Sequence, residues 1–417
     1  MLLISRKTSL LLALLVALTA AMAWYASRHP MDFRVYHVSA HTVFDGDVNN
    51  VFVDGTRPMY GVWSGMGWPM HYRYPPLFLL LFAPFAWIPI GAAAALWVSL
   101  KVVVLVLFIR ALIKRLPPAQ GVSTWLVPLL LAGPYVIQDF RYGNAQFFVF
   151  ALTALSLLMA REKPVLSAAS LALGIVIKVW PLFFIPYLLA RRDWKVAVGT
   201  LLIAAILMAV PSAYFGVDGN IRLVREWFNQ EFATQSSQEE IWFPSQSLRG
   251  VMMRYLTAID YSHLPDSNYR LVNVATVNPR FVRMAWLATS VIIYAAFIWW
   301  VSRRRRQGGW IDVGLAFCLL SLLEPFTQKY AMVVLLWPAI VAGRSIDIPA
   351  VRNLCYLSIG LAVILPLIPG SEAQRFMQVL GMDFAAATAL AMAMTCCGRK
   401  QPRPMPQVTG TSAGKSA

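Results

Sequence analysis

Charge is scarce in this chain, and acid is scarcer than base. Of 417 residues only 13% are charged, and 19 acids stand against 36 bases. Soluble domains carry about twice that charged share, so a water-soluble globule is excluded. Cysteine is nearly absent. Cys318, Cys355, Cys396 and Cys397 all lie in or at the end of apolar runs, with no spacing for a disulfide framework or a metal site. They read as small packing residues. No P-loop, dinucleotide glycine fingerprint, H-E-x-x-H or G-x-S-x-G occurs. No cofactor and no metal are therefore expected.

What remains is apolar. Hydrophobic residues make up 59% of the chain, and the mean hydropathy is +0.60. Repeated runs of about 17–25 apolar residues fit bilayer-spanning helices. The sequence predicts an all-α polytopic membrane protein with about 12 membrane segments. Residues 1–397 form one membrane domain with outer loops over about 27–90 and 216–280. Residues 398–417, rich in Pro, Ser and Gly, form a disordered cytoplasmic tail.

The net charge of +17 does not point to nucleic acid. Basic residues cluster at the ends of apolar runs, at Arg6-Lys7, Arg110 to Arg115, Arg191-Arg192, Arg303 to Arg306 and Arg399-Lys400. This is the positive-inside bias, and such clusters also favour anionic headgroups. Both termini are thus expected in the cytoplasm, with Asp32 carried to the outer side of a bacterial plasma membrane. The run Thr8 to Ala26 reads as an uncleaved signal anchor; small residues before Trp24 leave a cleaved signal peptide as the alternative.

Helix 2 is expected over Gly91–Ile113, then spans over Thr124–Gln138, Gln146–Ala160, Val196–Phe215, Phe281–Val301, Val313–Leu323, Tyr330–Ala342, Leu354–Ile368 and Phe384–Cys397. The run Leu77 to Trp87, broken by Pro84, reads as re-entrant or juxtamembrane. Leu166 to Ala190 is bounded by basic residues on both sides and holds Lys178-Val179-Trp180-Pro181 inside. Two short helices meeting near Lys178 satisfy both facts, and discontinuous helices commonly mark binding sites.

The polar segment from Met31 to Pro76 reads as a long acidic and aromatic loop, and irregular backbone in a membrane protein needs water or protein to satisfy it. Asp32 sits just past helix 1, where a carboxylate can take a proton from a hydroxyl while an apolar chain stays in lipid; a solvated helix-end acid is the plain alternative. Asp45-Gly46-Asp47 has the D-x-D form of some metal sites, and a turn around Gly46 is the preferred reading. Tyr36, Tyr60, Trp63, Trp68, Tyr72 and Tyr74 can pack on sugar faces or anchor the segment at the interface. Lys178 is an intramembrane charge and so a candidate for function, with snorkelling as the alternative. Asn144 and Gln146 can bind sugar hydroxyls or cap a helix. Ser245 to Arg249, ahead of Met252-Met253-Arg254, suggests an amphipathic helix. Glu324-Pro325 and Thr327 to Tyr330 form a tight turn.

In order, D-F-R-V-Y (32–36), Y-R-Y-P-P-L (72–77), A-P-F-A-W-I-P (83–89), Y-G-N-A-Q (142–146), L-G-I-V-I-K-V-W-P-L (173–182), Q-S-L-R (246–249) and E-P-F-T-Q-K-Y (324–330) resemble the polyprenol-phosphate-sugar-dependent glycosyltransferases of family 87. The likeness runs from about Asp32 to Pro338. It implies the GT-C fold, an outer-face active site, a lipid-monophosphate sugar donor and an acid in the first outer loop, here Asp32. Lys178 falls on the family's I-K-x-x-P element as a donor-phosphate contact. Where related mannosyltransferases often carry histidine in the last turn, this chain has Gln328-Lys329.

The residues then read as one site. Asp32 is the catalytic base. Lys178, Arg249, Lys329 and Arg73 balance the donor phosphate. Tyr36, Tyr74, Asn144, Gln146, Gln246, Glu324 and Gln328 line the sugar and acceptor. The expected reaction is an inverting transfer of a sugar, mannose first, from a polyprenyl-monophosphate donor to a lipid or glycan hydroxyl. The partners are that donor, that acceptor and membrane lipids, with no nucleic acid. A polytopic transporter or lipid-linked sugar flippase is the rival reading; it explains the broken helix but not the two large loops.

Overall fold

The computed structural model describes residues 6–46, 48, 51–52, 72–116, 121–233, 244–258, 271–304, 309–368 and 370–400. Every regular element among them is helical. In chain order they are α1 (Arg6–Arg28), α2 (Met31–Phe44), α3 (Pro76–Ala86), α4 (Ile90–Arg115), α5 (Ser123–Tyr142), α6 (Gln146–Met159), α7 (Pro164–Ile177), α8 (Phe184–Ala190), α9 (Trp194–Ala209), α10 (Ser212–Phe228), α11 (Leu248–Leu256), α12 (Pro279–Arg303), α13 (Gly309–Leu323), α14 (Leu336–Gly343), α15 (Pro349–Ile359), α16 (Ser371–Val379) and α17 (Met382–Lys400). Residues Tyr60, Trp63, Trp68 and Asp47, and the tail beyond 400, lie outside the described residues.

Among the described residues three helices are long and apolar enough to cross a bilayer: Ile90–Ile113, Pro279–Arg303 and the run Pro349–Leu367. Two bent pairs raise the count to five if each is one span. The apolar helices α6, α7 and α13 have 14 or 15 residues. At about 1.5 Å per residue they cover roughly 21 Å, short of a hydrocarbon core of about 30 Å. Helix α13 is buried on all sides from Ile311 to Leu323, as expected of a helix that is hydrophobic all round. It packs on α14 and α17.

Helix ends sort into two poles, and polar pairs mark them. At one pole Arg115 reaches Glu162 (2.8 Å) between the ends of α4 and α6. There too Arg191 meets Asp312 (3.3 Å), and Arg304 donates to the Gly398 carbonyl (2.6 Å). At the other pole lie the start of α2, the α5–α6 turn, the break after α7 and the end of α13.

Four expectations are corrected in detail. The segment after helix 1 is not irregular at its start: α2 runs from Met31, following Pro30. Its buried Phe33, Tyr36, His37 and Ala40 fall at helical spacing against α3, and Asp32 sits in the first turn, where the helix dipole favours an acid. The second long loop opens and continues as helix, in α10 and α11. The span expected over Val196–Phe215 ends at Ala209, and α10 turns away by 98°. The apolar run after Leu354 passes through a π-helical turn at Gly360–Ile364 and a 3-10 turn at Leu365–Leu367.

The break at Lys178 is as expected. Pro181 removes a helical hydrogen bond and crowds the preceding turn, which kinks or breaks a helix; α7 stops at Ile177, and Lys178 is extended (φ −151°, ψ 128°). A 3-10 turn, Trp180–Phe183, then leads into α8. The Pro181 ring packs near Gly174, where an added Cβ would lie 3.5 Å from it.

Candidate active site

The site pole is built around Asp32. Its side chain is buried at 6% exposure and accepts from Asn144 Nδ2 at 2.7 Å. Asn144 is delivered by the end of α5. Gly143 closes that helix in the left-handed region (φ 68°, ψ 20°) with its N–H on the Asp139 and Phe140 carbonyls, a favoured C-terminal device. Only glycine fits: a Cβ here would lie 2.8 Å from Phe33 Cβ.

The hydrogen bonds have a direction. Ala145 N–H donates to Tyr36 Oη (3.3 Å). Tyr74 Oη donates to Asn144 Oδ1 (3.3 Å), so Tyr36 is left to donate to Tyr74 across 2.6 Å. Asn144 Oδ1 also takes the Gln146 backbone N–H (2.9 Å). Its amide nitrogen is thereby fixed toward Asp32. Beneath this chain lies an aromatic floor of Phe33, Tyr36, Phe78, Phe82 and Trp97.

Lys178 closes the far side. Its ammonium stands 5.8 Å over the Tyr74 ring and 5.7 Å over the Tyr330 ring. The carboxylates that act on it most strongly are Glu324 and then Asp32. Burial pushes the Asp32 carboxyl up to about 6, against the Asn144 hydrogen bond and the Lys178 charge, which pull it down. Burial likewise lifts Glu324 to about 7, opposed by Lys178 and by the 2.9 Å bond from Thr327 Oγ1. Two carboxylates, both raised by burial, thus act on one cation.

The remaining candidates fall into three places. Arg73 acts on Lys178 and binds Glu231 (3.2 Å) in the π-turn after α10. Gln146 joins the Lys178 break, because Trp180 Nε1 donates to its side-chain oxygen (3.1 Å). Gln246 is stitched to the Glu324–Tyr330 turn by its N–H on the Thr327 carbonyl (2.6 Å), and its amide donates to the Gln378 carbonyl (2.8 Å). Gln328 is half-buried in the same turn. Lys329 is turned toward Asp383 (3.5 Å), which also accepts from Tyr135 (3.2 Å). Arg249 lies on α11 over the Trp286 ring of α12 (5.2 Å), and burial beside Arg283 lowers it to about 10. The structure brings Asp32, Tyr36, Tyr74, Asn144, Lys178 and Glu324 together, with Arg73 and Gln146 at their edge. It sets Lys329 and Arg249 in other clusters.

Sequence reasoning missed Lys101 and Asp139, a fully buried ion pair at 2.6 Å that also acts on Asp32. The signal was present. Lys101 interrupts an apolar run just as Lys178 does, and an intramembrane charge is a candidate wherever it occurs. Of the D-x-D segment, the described part is a short turn. Asp45 is exposed and pairs with His41 (2.6 Å), and Gly46 takes φ 94°. Among the described residues no group of three His, Cys, Asp or Glu is placed to hold a metal ion.

An apolar groove of about 490 Å³ runs down from this site between α3, α4, α6 and α7. Its upper end includes Ala145 and Ile177, the neighbours of Asn144 and Lys178. Along α4 it extends from Trp97 to Ala111, roughly 21 Å of helix. Leu100 and Leu107 in its wall are exposed, so the groove opens to the side.

Comparison with known proteins adds to this geometry. A family model described as glycosyltransferase family 87 matches residues 72–325. The match begins after Asp32 and includes Asn144, Lys178 and Glu324. A polyprenol-phosphate-mannose-dependent α-(1-2)-phosphatidylinositol mannoside mannosyltransferase of Mycobacterium tuberculosis is 25% identical over 352 residues, 77% of this chain and 75% of that protein. Its namesake in Mycolicibacterium smegmatis is 26% identical over 177 residues, 39% of each chain. Among solved structures, ArnT from Cupriavidus metallidurans bound to undecaprenyl phosphate aligns over 93% of this chain and 78% of that one, at 14% identity and a TM-score of 0.38.

Proposed function

The chain belongs to glycosyltransferase family 87, and from that premise we propose that it moves mannose from a polyprenyl-monophosphate donor to a lipid or glycan hydroxyl on the outer face of a bacterial plasma membrane. The observation that carries the reading is the juxtaposition at the site pole: a buried carboxylate aimed by Asn144, a half-buried lysine whose ammonium stands over two tyrosine rings, and an apolar groove leading away beside them. A base, a phosphate partner and a channel for a chain are what such a donor needs. The mycobacterial relatives are named for mannosyl transfer from polyprenol phosphate mannose, which supports the choice of sugar and donor.

The reaction is a single displacement. The acceptor oxygen attacks C1 of the sugar as the C1–O bond to phosphate breaks. Asp32 takes the acceptor proton, and the polyprenyl phosphate departs with the bonding pair. The transition state is oxocarbenium-like. A phosphate monoester leaves readily when its charge is balanced, so one base and cations suffice. Lys178, flanked by Arg73, meets the growing phosphate charge. Glu324 keeps Lys178 charged and faces the sugar or acceptor together with Tyr74 and Gln146. A carboxylate lifted to about 6 is a stronger base than an ordinary aspartate and is still mostly ionised at neutral pH. If the product linkage is α, as in the relatives' names, inversion requires a β-linked donor.

The outer-face assignment rests on charge. Arg115, Arg161, Arg191 and Arg303 lie at helix ends on the pole opposite Asp32, and such residues favour the cytoplasmic side. The GT-C architecture and the full number of spans are part of the same proposal.

The test uses the purified chain in lipid nanodiscs with labelled polyprenyl phosphate mannose and a panel of mannolipid acceptors. Product should form with one polyprenyl phosphate released per glycosidic bond. Movement of labelled lipid between leaflets without a new glycosidic bond would overturn the reading in favour of a flippase.

A further inference from the structure

Lys101 lies within α4 with its side chain fully buried. An isolated ammonium there is costly, and Asp139, with the Phe140 ring 5.2 Å away, offsets that cost. Its Nζ donates to Asp139 Oδ1 at 2.6 Å and to the Asp139 backbone carbonyl at 3.0 Å. The same carbonyl accepts from the N–H of Gly143 and of Asn144 (3.3 Å). One oxygen thus joins α4 to the turn that carries Asn144. One helical turn away on the same face of α4, Trp97 Nε1 donates to the Gly143 carbonyl (3.0 Å). Side chains of α4 therefore hold the last turn of α5 and the Gly143 that closes it. That turn presents Asn144 to Asp32 and presses Gly143 on Phe33, the next residue of α2.

Stability does not account for the pair. Replacing a buried ion pair by apolar residues of similar volume is often neutral or stabilising. Placement beside the carboxylate does account for it. We propose that Lys101 and Asp139 are positioning residues for the transfer: the ammonium grips the last turn of α5, and that grip holds Asn144 against the Asp32 carboxylate. The inference rests on Asp32 being the base.

The two charges also act on Asp32 with opposite sign, the Asp139 carboxylate raising its hold on a proton and the Lys101 ammonium lowering it. The other groups facing Asp32 are Lys178 and the phenols of Tyr36, Tyr74 and Tyr142, which all variants below leave in place. Lys101→Met should therefore move the protonation midpoint of Asp32 upward, and Asp139→Asn should move it downward. A pair that acted on Asp32 through its charges alone would leave the midpoint of the double variant at the wild-type value, whereas loss of the Asn144 hydrogen bond leaves it raised.

The experiment uses the full chain in nanodiscs. The midpoint is read from the carboxyl infrared band that Asp32→Asn deletes, which needs no turnover and so stands even if the mannosyl donor is wrong. Kinetics with polyprenyl phosphate mannose give the second readout. Lys101→Met should lower kcat by about 100-fold, the scale of a small misplacement of a reacting group, with donor KM unchanged. Because that variant leaves Asp139 unpaired and can fail to fold, the double variant Lys101→Met/Asp139→Asn is measured with it. Its midpoint should stay above that of the wild type, because the two charge effects cancel while the loosened Asn144 no longer lowers it, and its kcat should stay low, since nothing grips the Asp139 carbonyl. A slow double variant with a raised midpoint supports the proposal. A double variant with wild-type kcat, or with the wild-type midpoint, overturns it.

Discussion

Lys178→Met removes one cation that serves two ends, and pH separates them. The first end is Asp32. With its carboxyl lifted to about 6, Asp32 is about 90% ionised at pH 7, and each tenfold change in proton affinity corresponds to about 1.4 kcal/mol. Lys178 pulls that value down, so its loss moves Asp32 upward. A tenfold gain in proton affinity would leave about half the base ionised at pH 7, a loss of about twofold that returns by about pH 8. The second end is the donor phosphate. Removing one preorganised donor to a developing anion costs about 10²–10³-fold in rate, and no pH restores it. Initial rates of labelled sugar transfer across about pH 5 to pH 9 divide the loss. We expect a shifted acidic limb and a plateau still about 100-fold low. Full recovery on the alkaline plateau would refute the phosphate role, and an unchanged profile would refute both.

Gly143→Ala forces a left-handed residue and a Cβ 2.8 Å from Phe33. It should lower thermal stability by about 1–3 kcal/mol and slow transfer by moving Asn144, measured as the unfolding midpoint and kcat together. Glu324→Gln tests the second carboxyl. A group raised to about 7 in the folded chain gives its stabilising contribution fully below about pH 4.5, and that contribution is lost as pH rises through about 7. The wild type should therefore lose stability over that window, and the glutamine variant should lose less, in unfolding scans at the two ends.

Much of this architecture was legible because a bilayer writes strong rules into sequence. Apolar runs and basic flanks gave most helix positions, and the proline after Lys178 marked the broken helix. The polar stretch after helix 1 was harder. Its helix α2 has the aromatic stripe Phe33, Tyr36 and His37, yet charged and polar neighbours hide the period, and the stripe is buried by α3 and α4 rather than by lipid. The bend after Ala209 likewise depends on packing that no local signal carries. At the site, Asp32 and Lys178 announced themselves as charges beside or within apolar runs. Arg249, read on an amphipathic helix, and Lys329, read in a tight turn, face Trp286 and Asp383, and only tertiary contacts set those directions. Lys101 and Asp139 pair across 38 residues of chain, and that pairing is not visible until α4 and α5 are laid side by side.

The most direct test of the account is turnover by Asp32→Asn. The substitution keeps the volume of the side chain and removes its capacity to take the acceptor proton. Holding the carboxylate ionised at neutral pH costs the folded state about 3 kcal/mol, because stability present below about pH 4 is lost as pH rises through about 6. The asparagine variant should thus unfold no earlier than the wild type. Its transfer rate with polyprenyl phosphate mannose should fall by at least about 100-fold, with donor binding retained. A well-folded Asp32→Asn protein that turns over within a few fold of the wild type would contradict the account.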